Sequence, residues 1–234
     1  MKRAVLSEGR AMWTKDEYSL FTAISEQIRR RDFQRALVKS DELLRLVEGD
    51  SRKSAYIMGC RKAVALKHLN RYSDAGRTFD RAYTLAWEAD ETVILAYILN
   101  DWSSMFKGTT AVEMIKGAIE HCQKAQETPD KDRNLKADIA YFEATLAHTL
   151  QVEGMSSAEE TQARLRKAKA ILKKFAHGEY PRYEQAYFIT LRWSLTVPIE
   201  NSPLGLLRYA GDLGTAAMEV IRHGNFRQLV QLFK

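Results

Sequence analysis

Apolar residues recur along the chain at intervals of three and four, and no window of β-branched residues alternates in the manner of a strand. The pattern predicts helices at about 14–30, 33–48, 52–69, 73–88, 91–106, 110–127, 133–153, 157–177, 181–197 and 203–223, with one more short helix in the tail from 225. Thr14–Glu17, Thr110–Glu113 and Ser156–Glu159 each fit a capping box, in which hydroxyl and carboxylate satisfy the first free backbone N–H groups. Ser202 followed by Pro203 reads as a further helix start. Gly49, Gly108, Gly154, Gly178 and Gly224 read as stops. Most connections are two to five residues long, with longer breaks at 127–134, 152–157 and 197–203. Short connections favour antiparallel neighbours, and therefore either a bundle or a stacked array of helical hairpins.

Self-similarity separates those two architectures. The stretches "DFQRALVKSDELL", "RYSDAGRTFDRAY" and "KGTTAVEMIKGAI" each open the second helix of a hairpin on an alanine, at Ala36, Ala75 and Ala111, which are 39 and 36 residues apart. In the second stretch Ala75, Phe79 and Ala82 follow at spacings of four and three, with Tyr72 at the turn and Ala63 midway along the preceding helix. Alanine lets helices cross closely, and the larger side chain fills the gap beside it.

These residues resemble the tetratricopeptide repeat, a two-helix unit of about 34 residues. The resemblance covers about 17–125 and is sharpest in the second unit. It departs from the pattern at Ser40 and Leu43 in the first unit, and Trp87 stands where the family has a closing proline. It implies an all-α fold of antiparallel hairpins stacked as a right-handed α-solenoid. The chain then reads as a single repeat domain over 1–234, with clearer repeats at 17–126, divergent hairpins at 133–223 and a capping helix at 225–234. In such an array the first helix of each hairpin lines a concave face. The alignment directs Ile57, Arg61, Val64 and Lys67 there from one unit, and Val93, Tyr97, Asn100 and Ser104 from the next. Arg61, Lys67 and Asn100 are donors suited to a peptide backbone or a carboxylate.

Composition narrows the function further. The chain of 234 residues carries a net charge of +6, which permits an acidic protein or a nucleic acid as partner and demonstrates neither. Cys60 and Cys122 sit among apolar neighbours in helical patterns and read as buried free thiols of a reducing compartment. The N-terminal stretch lacks the apolar run of a secretory signal, and "TVILAYIL" is too short to span a bilayer, so a cytoplasmic protein without membrane insertion is expected.

Catalytic signatures are missing. His68, His121, His148, His177 and His223 make no metal-ligand spacing, and no phosphate-binding loop or nucleophile elbow occurs. The sequence therefore predicts no enzyme activity, no metal and no cofactor. One strongly charged feature is "RLRKAKAILKKFAHGEYPR" at 164–182. Leu165, Ala168, Ile171, Leu172 and Phe175 share one helical face, and Arg166, Lys167, Lys169, Lys173 and Lys174 fill most of the rest. The tail "NFRQLVQLFK" gathers Phe226, Leu229, Val230 and Phe233 on one side, either to cap the array or to pair with a second copy as a homodimer. The reading that follows is a non-catalytic adaptor that binds a protein or peptide through a groove containing Arg61, Val64, Lys67, Tyr97, Asn100 and Ser104. The alternatives are a peptide-sensing regulator of the same repeat type, and nucleic-acid binding through the basic helix.

Overall fold

The computed structural model describes residues 13–126, 135–176, 181–197, 209–211, 213–215 and 218. The helix expected at 203–223 lies largely outside the described residues. The start at Ser202–Pro203, the stops at Gly178 and Gly224, and the segment 225–234 lie wholly outside them. Every described element is helical, and no strand occurs among the described residues. In chain order these are α1 (Lys15–Arg29), α2 (Phe33–Leu46), α3 (Ser51–Ile57), a π-helical turn (Met58–Lys62), α4 (Ala63–His68), α5 (Tyr72–Glu88), α6 (Thr92–Ser103), α7 (Gly108–Gln126), α8 (Leu135–Val152), α9 (Ala158–Ala176) and α10 (Pro181–Thr196). The π turn joins α3 and α4 without a break. The chain divides into two compact units, Met1–Leu135 and Lys136–Lys234, at the point where the alanine spacing ceases to repeat in the sequence.

Local chemistry sets the helix ends. Thr14 and Glu17 form the expected capping box, with the Thr14 N–H donating to the Glu17 carboxylate at 2.7 Å. Asp32 and Asp50 cap α2 and α3 by accepting from the backbone N–H groups of Arg35 and Lys53. Two expected starts are displaced. At α9 the box is Ser157–Glu160, one residue later than expected: Glu160 N–H donates to the Ser157 hydroxyl and Ser157 N–H to the Glu160 carboxylate. The run of two serines and two glutamates allows both registers. α6 ends at Ser103 and α7 starts at Gly108, so Gly108 stands at the start of a helix rather than closing the one before, and Thr110 lies within the first turn.

Four helices end in the same left-handed turn, at Arg31, Asn70, Asp90 and Gly154. In each, the next residue's N–H reaches back five positions: Asp32 to Gln27, Arg71 to Leu66, Glu91 to Ala86 and Met155 to Leu150. This is the Schellman closure, which satisfies carbonyls left free by the helix end. Asparagine and aspartate tolerate the left-handed region better than other L-residues. Arg31 carries its cost without that tolerance, and for this reason the α1 stop has no signal in the sequence.

Unit 1 holds two neighbouring cores. Ile24, Ala36, Leu37, Leu43, Ile57, Leu66 and Ala75 form the first, and Ala55, Ala63, Phe79, Ala82, Ala86, Leu95 and Ile98 the second. The alanine ruler is a packing device, since Ala75, Phe79, Ala82 and Ala63 are all fully buried. Ser40 is also fully buried, and its hydroxyl donates to the Ala36 carbonyl at 2.8 Å, so it takes the place of a large apolar residue without an unpaired group. Tyr72 at the turn remains exposed and donates to the Asn70 side chain. Cys60 and Cys122 are buried and not joined in a disulfide.

Among the described residues of unit 2, α8, α9 and α10 share a core. Ala137, Ala140, Ala144 and Ala147 of α8 meet Leu165, Ala168 and Leu172 of α9, together with Tyr183, Tyr187 and Leu191 of α10.

Candidate functional site

The polar residues predicted for the groove lie on α3–π turn–α4 and on α6, two elements held unusually close. A β-carbon placed on Gly59 would lie 2.4 Å from Ile98 Cγ1 and 3.4 Å from Ala82 Cβ, so only glycine permits this approach of the π turn to α6. The π turn coincides with that contact. Such turns often mark functional positions in helices.

At this junction Lys67 Nζ donates to the Ser104 hydroxyl at 2.7 Å, joining α4 to the end of α6. Asp101, one turn after Tyr97, lies among the same groups. Burial pushes its carboxyl up to about 6, while Lys67, Arg61 and a hydrogen bond from the Asn100 amide pull it back. Burial also lowers the Lys67 ammonium, and Asp101 opposes that effect. Arg61, Lys67 and Asp101 are all half-buried, and Ser104 is exposed.

Arg61 is fixed by aromatic rings. Its guanidinium carbon lies 4.7 Å from the Phe21 ring centroid and 5.6 Å from that of Tyr56, and Nη1 donates to the Cys60 carbonyl at 2.7 Å. Its Nε is buried without a partner, as is Oδ1 of Asn100, a residue only 4% exposed. One unpaired donor and one unpaired acceptor thus belong to two residues that both act on Asp101. Buried polar groups are normally paired, and each exception costs about 1–3 kcal/mol unless a partner is supplied.

The remaining predicted residues contribute differently. Val64 packs partly buried against the second core, and Tyr97 is half-buried. Ile57, expected to line the groove, is instead fully buried, packed into the first core. Val93 is half-buried on α6. Asp101 was missed because the hairpin alignment selected its neighbours Asn100 and Ser104 and passed over the position between them. Its spacing of four from Tyr97 and three to Ser104 is the signal that could have found it.

Unit 2 brings other groups together. On α9, Leu165, Ala168 and Leu172 are buried, Ile171 and Phe175 pack against them, and Lys167, Lys173 and Lys174 are exposed. Arg166 is half-buried, with Nε donating to the Gln162 carbonyl, and Lys169 is also half-buried. Across α8 and α10, His148 stacks on Trp193 with centroids 4.6 Å apart, and Tyr141 lies 6.5 Å from the same ring. Burial lowers the His148 imidazole, which favours its neutral form.

A shallow open depression of about 480 Å³ between α6 and α7 is lined by Leu99, Thr109, Thr110, Glu113, Met114 and Gly117. Its carboxylate, Glu113, is engaged by Lys116 at 2.8 Å. No group of three or more His, Cys, Asp or Glu side chains suited to a metal occurs among the described residues. No described helix is long and apolar enough to cross a membrane. No protein-family model matches the chain, and no curated protein matches it significantly.

Proposed function

We propose that this chain is a non-catalytic binding protein that holds an extended peptide or a segment of a partner protein against the face formed by α3, the π turn, α4 and α6. The observation that carries this reading is the polar set on one face, where Lys67 is bonded to the exposed Ser104 hydroxyl and Arg61 stands half-buried on the neighbouring π turn. Donors of this kind hold a peptide backbone or a carboxylate. The face is also preorganised: Gly59 fixes the helix separation, rings fix Arg61, and Lys67 is bonded to Ser104. Rigid presentation reduces the ordering cost of binding.

A tetratricopeptide-like array of hairpins in a right-handed solenoid is the architecture that suits this function. Its support is twofold. The buried Ala75–Phe79–Ala82 set matches the packing role expected of such a repeat. The left-handed residues Arg31 and Asn70 also recur with the same 39-residue offset as Ala36 and Ala75, so the connector repeats along with the helix it introduces.

Quantitative affinity purification compares the wild type with a double variant, Arg61→Glu with Asn100→Ala. Proteins bound through this face are expected to fall by at least about tenfold in the variant, with circular dichroism unchanged. Equal capture by both proteins rejects the face. A second reading, nucleic-acid binding through α9, is favoured by the exposed Arg164, Lys167, Lys173 and Lys174 on one helix. Fluorescence anisotropy with labelled RNA and DNA at low salt tests it, because phosphate contacts are strongest there. No binding under those conditions ends that reading.

A further inference from the structure

We propose that the carboxyl-terminal end of α5 is a second docking surface, on which Trp87 and the carboxylates around it receive an arginine side chain of a basic partner segment. The surface lies on α5, outside the elements that form the proposed binding face, and it stands independently of that reading.

Trp87 stands where the repeat resemblance implies a closing proline, and the packing of unit 1 makes little use of it. Of the four tryptophans it alone is exposed, with 63% of its surface open. The ring is nevertheless held in place. Tyr83, one turn earlier, stacks on it with centroids 6.3 Å apart and planes 19° apart, and Tyr83 packs against the second core. Phe79, Ala82 and Ala86 of the same helix are fully buried, so the two rings sit on a rigid element. An indole face is the side-chain surface that attracts a cation most strongly.

Charge decides the occupant. A helix carboxyl terminus carries partial negative charge, which a basic residue in the last turn offsets. α1, α2, α7 and α9 each have such a residue. α5 has none; Glu88 ends it and Asp90 follows just beyond. Asp80 shares the face of Tyr83 and Trp87, three and seven residues before them. Asp80, Glu88 and Asp90 are all exposed, and none of them forms an ion pair among the described residues. Glu91 differs, since Arg52 engages it at 2.9 Å. Arg81, the cation nearest to Trp87 along α5, lies about 120° away round the helix axis. The chain as a whole is basic at +6, so attraction for a cation is local to this end. Arginine suits it better than lysine, because a planar guanidinium stacks on indole while its N–H groups reach carboxylates.

The probe is a blocked peptide of alternating glycine and arginine, compared with the same peptide carrying glutamine in place of arginine. The indole N–H signal of Trp87 reports binding locally in NMR titrations, and fluorescence anisotropy of the labelled peptide gives the affinity. The arginine peptide is expected to move the Trp87 signal and the glutamine peptide to leave it in place. Trp87→Ala removes the ring and keeps every charge. It should weaken the arginine peptide at least about fivefold, with circular dichroism unchanged because the side chain is exposed. Glu88→Gln with Asp90→Asn keeps the ring and should weaken binding at low salt, by a factor that shrinks as salt rises. Equal affinity of Trp87→Ala and wild type overturns the proposal, since only diffuse attraction to surface charge then remains. A Trp87 signal unmoved by the arginine peptide overturns it as well. Neither failure touches the face around Arg61, which stands or falls on the capture experiment with Arg61 and Asn100.

Discussion

The two units set different polar groups beside aromatic rings. Unit 1 has two kinds: the Arg61 cation against Phe21 and Tyr56, and the His68 imidazole stacked on Phe33 with its pKa lowered by burial. Among the described residues unit 2 has an imidazole there, His148 stacked on Trp193. The difference shows in the response to acid. The folded-state pKa of Asp101 is raised from 3.8, so the stability it contributes is fully present below 3.8 and is lost as pH rises through about 6. The folded-state pKa of His148 is lowered from 6.5, so its contribution is present above 6.5 and is lost as pH falls through the folded value. His68 and His121 in unit 1 are also lowered, chiefly by burial, and act in the same sense as His148. Asp101 is thus the group that sets the two sites apart.

The largest test concerns what the units have in common. Phe79→Ala in unit 1 and Phe142→Ala in unit 2 remove fully buried rings, and each should cost about 3–5 kcal/mol in urea denaturation. A cost below about 1 kcal/mol in either would show that its core is not closely packed. Next, Gly59→Ala should destabilise unit 1 by about 1–3 kcal/mol and weaken the Lys67–Ser104 bond, because Ile98 must move. An unchanged urea midpoint would mean that the helices separate freely. Asp101→Asn should stabilise unit 1 at pH 7 by about 1–2 kcal/mol, a gain that shrinks toward pH 4 where the wild-type carboxyl is already neutral. Stabilisation of equal size at both pH values would remove the electrostatic contrast. The smallest effect belongs to His148→Phe, which keeps the stack on Trp193. It should change stability by less than about 1 kcal/mol at pH 7.5 and reduce the loss seen between pH 7 and pH 5.

Much of this architecture is legible in the amino-acid order, because helical periodicity and caps are local. The Thr14–Glu17 box, the buried face of α9 and the packing role of Ala75, Phe79 and Ala82 follow from spacing alone. What is not legible depends on neighbours distant in sequence. The π turn coincides with Gly59 meeting Ile98, which lies 39 residues further along. The Arg31 stop gives no glycine to read. Hairpin alignment selected Arg61, Lys67, Asn100 and Ser104; the bond from Lys67 to Ser104 joins two segments 37 residues apart, which no local pattern specifies.

The π turn has a consequence for how this chain tolerates changes in length. A π turn amounts to one extra residue carried inside a helix. Deleting a single residue from Met58–Lys62 would restore regular winding and leave the segments on either side facing nearly as they do now. Lys67 would stay within reach of Ser104 and Leu66 would keep its place in the first core, whereas the same deletion within the regular winding of α5 would turn everything after it by about 100°. The π turn is therefore a place where the chain can lose a residue without changing which chemistry the helix presents.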